Sequence, residues 1–490
     1  MRRSTVGMSA LLLATAWPVS LGYAQSTEPQ SISSADKATG AKAHPDLLAE
    51  FGGLYAGKQA DYVRRIGQKI AVQSDLSNSQ SDFTISLLNS PVNNAFAIPG
   101  GYVYLTRQLL ALMNDEAELA SVLGHETGHV AARHSQKRQS TATRNGILGA
   151  LGQLGVGLLL GGNSQIGQLL SRGVGTGFQA MTLKFSRSQE IEADDLGVSY
   201  LAKAGYDPMA SSTMLASLAA QSALDARTRN QQARSLPAWA STHPDPASRV
   251  ARAAQRAGAT GYRSGVRNRD AFLYALDGTL YEDDPKQGVV DGQTFRHPDL
   301  RLMFTVPDGF AMANSAQAVT VSGSGGQAQF TGAAFNGDLR DYVGRAFQAM
   351  AGQGTIDYGE VQRTRVNGID AAYSTARANT QSGQVDVTVF AYAFDASHAY
   401  HFIVIAPAGA GLGPFRGLVQ SVRRMSASEV ASVRPRRVQV VTVKRGDTVN
   451  SLSSRMAYGN MKLERFMTLN ALRTGTALRP GERVKIIVYG

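Results

Sequence analysis

The sequence predicts a multidomain α+β protein in three parts: a mainly helical domain over 43–258, an α+β domain over 262–425 and a small βααβ module over 434–490. Three observations carry that prediction. The chain has 490 residues, room for about three domains at roughly 100–200 residues each. The hydrophobic pattern keeps a helical period up to Gly258, then switches to strand-like runs after a glycine-bearing stretch, Arg256 to Asn268. The charge is lopsided. Of a formal net charge of +12, residues 434–490 hold 12 Lys or Arg against only Asp447, Glu464 and Glu482.

With 43% hydrophobic and 18% charged residues the chain is ordinarily globular, which excludes wholesale disorder. It has no cysteine. That rules out a disulfide scaffold, a thiolate metal site, a cysteine nucleophile and a lipidated N-terminal cysteine. Any metal must be held by His, Asp or Glu. At the start, Arg2 and Arg3 precede an apolar run from Met8 to Trp17 and small residues at Gly22 and Ala24. This is the layout of a cleavable secretory signal over 1–24, too short for a membrane span. Residues 25–42, rich in Ser, Thr, Ala and Gln, read as a mobile leader.

Within the helical domain the informative run is His125-Glu126-Thr127-Gly128-His129. Asn114 or Asp115, with Glu118 close behind, supplies helix-start chemistry ahead of it. Residues four apart share a helix face, so His125 and His129 can address one ion. Glu126 lies about 100° around the helix, placed to take a proton from a metal-bound water without being a ligand. A catalytic zinc needs a third protein ligand. A third His in the HExxHxxGxxH pattern would fall at Ser135, and His134 misses that register by one residue. The other source is a later helix, and Ser186–Gly197 (SRSQEIEADDLG) offers Glu190 and Asp194 on one face. Glu190 can then bind the metal while Asp194 accepts a hydrogen bond from a ligand His. Glu192 lies on another face, and His134 reads as a helix-end cap or surface residue. His44, His297, His398 and His401 receive no role.

These motifs, with Asn94-Ala95-Phe96-Ala97-Ile98-Pro99-Gly100-Gly101 before them, resemble the M48 peptidases, the Ste24p/HtpX-type zinc metalloproteases, in an exported, non-polytopic form. The resemblance implies a zincin-like fold with the HExxH-plus-Glu (gluzincin) arrangement. It implies one zinc per chain on His125, His129 and Glu190, with Glu126 as general base and Asp194 behind His125 or His129. Asn94, Ala95 and Phe96 would form an edge strand on which an extended peptide pairs through its backbone. His243, in a Ser-Thr-His-Pro segment, matches a His-Pro element of soluble members. It would either donate to the oxyanion or fill the open zinc position. Arg249 would pair with a carboxylate or with the developing charge.

Two segments point to partners. Gly146–Gly162 has no charge and seven glycines in 17 residues. It reads as a helical hairpin or lid packed on the protein, with peripheral membrane contact as the alternative. Residues 434–490 resemble a LysM domain through Gly446-Asp447-Thr448, Asn470 and Pro480-Gly481, although Ile486-Ile487 stands where that family usually has Ile-Pro. The resemblance implies peptidoglycan binding. The basic charge suits an anionic envelope component rather than nucleic acid in an exported chain. The middle domain, with Phe304-Thr-Val-Pro-Asp-Gly-Phe, loosely resembles PsbP/Mog1-like domains and reads as a docking or scaffold element. The function expected is a periplasmic zinc endopeptidase acting on misfolded or misassembled envelope proteins. The alternative is an envelope adaptor or chaperone with little or no proteolysis.

Overall fold

The computed structural model describes residues 31–76, 82–137, 185–228, 243, 246–262, 265–351, 355–380 and 383–490. The expected signal segment (1–24) and the glycine-rich 146–162 lie outside them. The first domain contains α1 (Ser34–Glu50), α2 (Lys58–Ala71), β1 (Thr84–Leu88), β2 (Ala95–Ile98), β3 (Tyr102–Thr106), α3 (Arg107–Leu112), α4 (Glu116–Ala131), α5 (Arg187–Lys203), α6 (Ala210–Thr228) and α7 (Pro246–Ala259). Its sheet has the order β1-β3-β2, with β1 parallel and β2 antiparallel to β3. β2 is therefore an edge strand, as the sequence suggested. No helix among the described residues is long and apolar enough to cross a membrane.

The leader expected over 25–42 is replaced, from residue 31 on, by ordered structure. Ser33 caps α1 by accepting from the Asp36 N–H, and Ile32 is buried in the core. Gly40 lies so close to Pro99 and Tyr102 that a Cβ would meet the Pro99 carbonyl oxygen at 2.2 Å. Only glycine lets α1 lie against the β2–β3 hairpin there. Leu47 completes the contact against Leu88, Phe96, Ile98 and Tyr104. The polar composition of this run describes the outer face of α1, not freedom from the fold.

α4 is buried along nearly its whole length, from Glu116 to His129. Its N-terminus is held by charge. Asp115 caps the helix on the Glu118 N–H and pairs with Arg267 at 2.9 Å. The Glu118 carboxylate reaches back to the Asn114 N–H, one residue before the cap. Glu116 accepts from Tyr206 at 2.7 Å and Asn268 at 2.8 Å, and also from Tyr62. Carboxylates in the first turn favour a helix start through its dipole.

Arg267 and Asn268, at the end of the glycine-bearing stretch Arg256–Asn268, strap that stretch to α4. Val266 bridges Tyr206, and the next helix, α8 (Arg269–Leu276), sends Phe272, Leu273 and Leu276 into the first domain's core. Residues 265–276 thus pack with the first domain rather than with the expected 262–425 unit.

The chain then makes β4 (Leu280–Tyr281), followed by the middle α+β unit. That unit has β5 (Val289–Asp291), β6 (Thr294–His297), β7 (Leu302–Thr305), β8 (Ala311–Asn314), β9 (Val319–Gly323), β10 (Gly326–Ala334), α9 (Leu339–Ala351), β11 (Gln362–Val366), β12 (Ile369–Thr380), β13 (Gly383–Ala393), β14 (His398–Pro407), α10 (Arg416–Ser421) and β15 (Arg423–Arg424). Seven antiparallel strands run in the order β11-β12-β13-β14-β10-β9-β8, beside a small β15-β7-β6-β5 sheet. Both faces of the large sheet are covered. Val387, Val389 and Ala391 meet α9, while Phe390, Tyr392 and Phe402 meet Phe304 and Leu418. That explains the near-continuous apolar runs in its central strands.

After α11 (Ala427–Ser432), the last module is β16 (Arg436–Thr442), α12 (Val449–Ser454), α13 (Lys462–Leu469) and β17 (Arg483–Tyr489), the expected βααβ order. It does not hang free. β4 pairs with β16, and Val438, Phe466, Leu469, Ile486 and Ile487 join the first domain's core. Lys485, fully buried, donates to the carbonyls of Ala111, Leu112 and Met113 at 2.9, 3.3 and 2.6 Å. An ammonium has three protons, and the end of α3 has unpaired carbonyls, so the two fit. Asn470 fastens the Lys485 backbone on both sides, accepting from its N–H and donating to its C=O.

Lys485→Met keeps the apolar stem but takes the ammonium donor from the buried Ala111 and Met113 carbonyls, while the Leu112 carbonyl keeps Asn114 Nδ2 at 3.2 Å. The expected loss is about 2 kcal/mol of unfolding free energy, read from urea unfolding of the whole chain. An unchanged unfolding midpoint would contradict a docked module.

Candidate metal centre

Two helices and one loop residue build the centre. α4 carries His125, Glu126 and His129, α5 carries Glu190 and Asp194, and His243 precedes α7. α5 starts where the sequence promised: Ser186 caps it in a reciprocal box with Gln189. This places Glu190 in the first turn. The helices cross at glycine. A Cβ on Gly197 would sit 3.1 Å from the His125 backbone nitrogen, and one on Gly128 would sit 3.1 Å from the Ala193 oxygen. With no side chain between them, the α5 carboxylates reach the α4 imidazoles.

His125, His129, Glu190 and His243 each turn one donor atom to a common point, all within 4.8 Å of one another and all buried. His125 Nε2 lies 3.1 Å from His129 Nε2 and 3.5 Å from Glu190 Oε2. His129 Nε2 is 3.6 Å from Glu190 Oε1. His243 Nδ1 lies 3.3 Å from His125 Nε2 and 3.1 Å from Glu190 Oε1. A tetrahedral ion with ligand bonds of about 2.0–2.2 Å has edges of about 3.3–3.6 Å, close to the five donor separations of 3.1–3.6 Å. His125 donates from Nδ1 to Asp194 Oδ1 at 3.0 Å, leaving its Nε2 lone pair aimed at the same point.

Charge is concentrated here. Arg249 forks onto Asp194, Nε to Oδ2 at 2.8 Å and the second nitrogen to Oδ1 at 2.6 Å, and also donates to Glu190 Oε2 at 2.7 Å. Of the two partners expected for Arg249, the structure shows the carboxylates. Burial favours neutral Glu190, yet His243 and His125 hold its carboxyl well below the usual carboxylate range. Burial lowers His125, and Asp194 with Glu190 more than reverses this, pushing it up to about 10. Without an ion the carboxylates draw positive charge onto an imidazole, and a bound cation would supply that charge instead. Glu126 is fully buried, and neither carboxylate oxygen accepts a hydrogen bond from a described residue. Burial pushes its pKa up. Its nearest charged neighbour is His243, whose Nε2 lies 3.5 Å from Oε1, and with no hydrogen bond made the carboxylate keeps lone pairs for a further donor.

β2 runs beside the donors. The Ala95 carbonyl is 3.4 Å from His243 Nε2. The Asn94 backbone is tied to Thr106, so its outline is fixed. Phe96 points the other way, stacking on Tyr104 under α1. Its part in any substrate contact is therefore limited to its backbone. The expectation for His134 is corrected. It is fully buried, 2.8 Å from His129 Nδ1 and 3.1 Å from Glu192. The reason is local: Arg133 takes a left-handed φ of 54° and turns the chain back at the helix end. Phe185, which no motif marked, stacks on His129 at 3.8 Å.

A buried His-His-Glu donor set on two helices, with an open Glu and an edge strand alongside, defines the class as a metallopeptidase-type site. Residues 57–257 match the model of Peptidase family M48, and residues 441–486 match the LysM domain. The chain is 33% identical over 196 residues to the Beta-barrel assembly-enhancing protease of Escherichia coli (strain K12), covering 40% of this chain and 38% of that one. It is 28% identical over 211 residues to the Mitochondrial metalloendopeptidase OMA1 of Schizosaccharomyces pombe, covering 42% of this chain and 57% of the relative. The Bos taurus counterpart, Metalloendopeptidase OMA1, mitochondrial, is 29% identical over 208 residues. The chain thus spans only 38% of the first of these relatives.

Gly197→Val puts two γ-carbons into the α4 backbone. It should cost about 2–3 kcal/mol and loosen metal retention, measured by thermal melting and metal content. Wild-type values for both would show that the helices do not depend on this contact.

Proposed function

We propose that this chain is an exported zinc endopeptidase that hydrolyses peptide bonds of misfolded or misassembled envelope proteins. One observation carries the reading: four donors converge on a point beside Glu126, whose buried carboxylate accepts no hydrogen bond from a described residue and has His243 Nε2 3.5 Å away. His125, His129 and Glu190 hold the zinc, one per chain. When bound, zinc supplies Lewis-acid chemistry, acidifying a water in the cleft and polarising the scissile carbonyl. Glu126 takes the water's proton and passes it to the leaving amine. Asp194 fixes His125, and Arg249 holds Asp194 and Glu190 in register. The substrate pairs along the free edge of β2, through the backbone of Asn94, Ala95 and Phe96.

His243 keeps the centre closed. Its Nδ1 is the fourth donor, and its Nε2 lies against the Ala95 carbonyl, on the edge a substrate needs. It must withdraw for the substrate to enter. This same contact supports the alternative, an adaptor or chaperone in which proteolysis stays blocked. The relatives named for enhancing beta-barrel assembly, together with the LysM match, support a periplasmic setting and envelope substrates. The signal segment over 1–24 supports export. Residues 434–490 bind peptidoglycan or an anionic envelope component through their basic exposed surface. The middle domain, whose sequence loosely resembles PsbP/Mog1-like domains, docks substrate or partner.

Glu126→Gln should retain zinc and lose cleavage of an unfolded protein such as casein by at least a thousandfold. His243→Ala should raise cleavage. Full activity in Glu126→Gln would sink the mechanism. Unchanged, negligible cleavage in His243→Ala would favour the adaptor.

A further inference from the structure

An imidazole that binds a metal through one nitrogen needs its other N–H pinned, which fixes both the tautomer and the ring's orientation. Asp194 does this for His125. His129 has no carboxylate at Nδ1. Instead Nδ1 faces the Nδ1 of His134 at 2.8 Å, and His134 Nε2 lies 3.1 Å from Glu192 Oε2. If His129 is to offer its Nε2 lone pair, only one order of protons satisfies this chain. His129 donates from Nδ1 to the bare Nδ1 of His134, and His134 donates from Nε2 to Glu192.

We infer that His134 and Glu192 form a positioning relay for the metal ligand His129, setting its tautomer and angle from a carboxylate near the surface. The inference rests on the metal reading proposed above. Several features hold the relay in place. His134 is fully buried, and its backbone carbonyl accepts from the Gln189 side chain at 3.4 Å. Gln189 is the residue that closes the capping box of α5, so the helix that supplies Glu190 also seats His134. Arg133 adopts the left-handed φ of 54° that turns His134 back under α4, a conformation uncommon outside glycine. Phe185 stacks on the open face of His129. The two ligand histidines are thus held by different means: His125 by a carboxylate directly, His129 by a carboxylate through a second imidazole. The outer end is accessible, for the Glu192 side chain is 50% exposed, with Lys137 at 3.9 Å.

The test is zinc affinity of the whole chain, measured by competition with a chromophoric chelator, together with the melting temperature of the metal-free protein. Glu192→Ala and His134→Phe should weaken zinc binding about 10–100-fold. Glu192→Gln, which keeps an acceptor oxygen, should recover most of that loss. Metal-free melting of Glu192→Ala should stay at the wild-type value, because an exposed carboxylate contributes little to packing. Zinc affinity within twofold of wild type in both Glu192→Ala and His134→Phe overturns the relay. So does a loss in Glu192→Ala that is matched by a fall in metal-free melting, since that marks a structural role. Glu190→Gln separates the two levels. If wild type binds zinc and Glu190→Gln does not, any failure belongs to the relay alone. If wild type binds none, the metal reading falls and the relay with it.

Discussion

The centre depends on how closely two helices approach. Gly124 and Gly128 on α4 face Ala193 and Gly197 on α5, with virtual Cβ contacts of 3.1–3.4 Å to the opposite backbone. Interhelical distance is set by the side chains at the contact. Here there are almost none, so a carboxylate as short as Asp194 reaches His125 and Glu190 reaches both imidazoles. The small-residue contact costs buried apolar area. The first domain makes that up elsewhere, with α2, the β-sheet and α6 packing around α4.

Closeness also creates an electrostatic problem. Three carboxylates (Glu126, Glu190, Asp194) and four imidazoles (His125, His129, His134, His243) are buried with a single guanidinium. Removing charge from water is costly unless each charge is paired. Arg249 answers for Asp194 and Glu190, and a cation at the convergence point would answer for the rest. His243 takes a place in the donor set and against the Ala95 carbonyl of β2 at once. The surrounding architecture leaves α4 little freedom. Its N-terminus is tied to the strap through Arg267 and Asn268, and the turn just before it meets the C-terminal module through Lys485.

Much of the site was legible because metal chemistry restricts both residue type and spacing. His125, His129, Glu190 and Asp194 are each four apart on their helices, and helical periodicity alone puts each pair on one face. The βααβ order of the last module was equally readable from local pattern, while the edge strand at Asn94–Ile98 came only from the family resemblance. The missed features were non-local. His134 looked like a surface residue because its burial depends on a left-handed turn at Arg133, a position no residue type announces. Glu192 was set aside because it faces away from the metal, which is where a relay through His134 requires it. The Gly124-to-Gly128 spacing was visible but was absorbed into the HExxH motif instead of being read as a packing face. Ser33–Lys42 looked like a leader because half of α1 faces solvent. Lys485, a lysine in a basic module, gave no sign that its ammonium would be buried against α3.

The most direct measurement is zinc per chain, by elemental analysis, in the purified protein and in Glu190→Gln. One zinc in wild type and a clear loss in Glu190→Gln are expected. Wild type that holds no zinc and cannot be reloaded, or a variant that holds as much as wild type, would contradict the assignment of the centre.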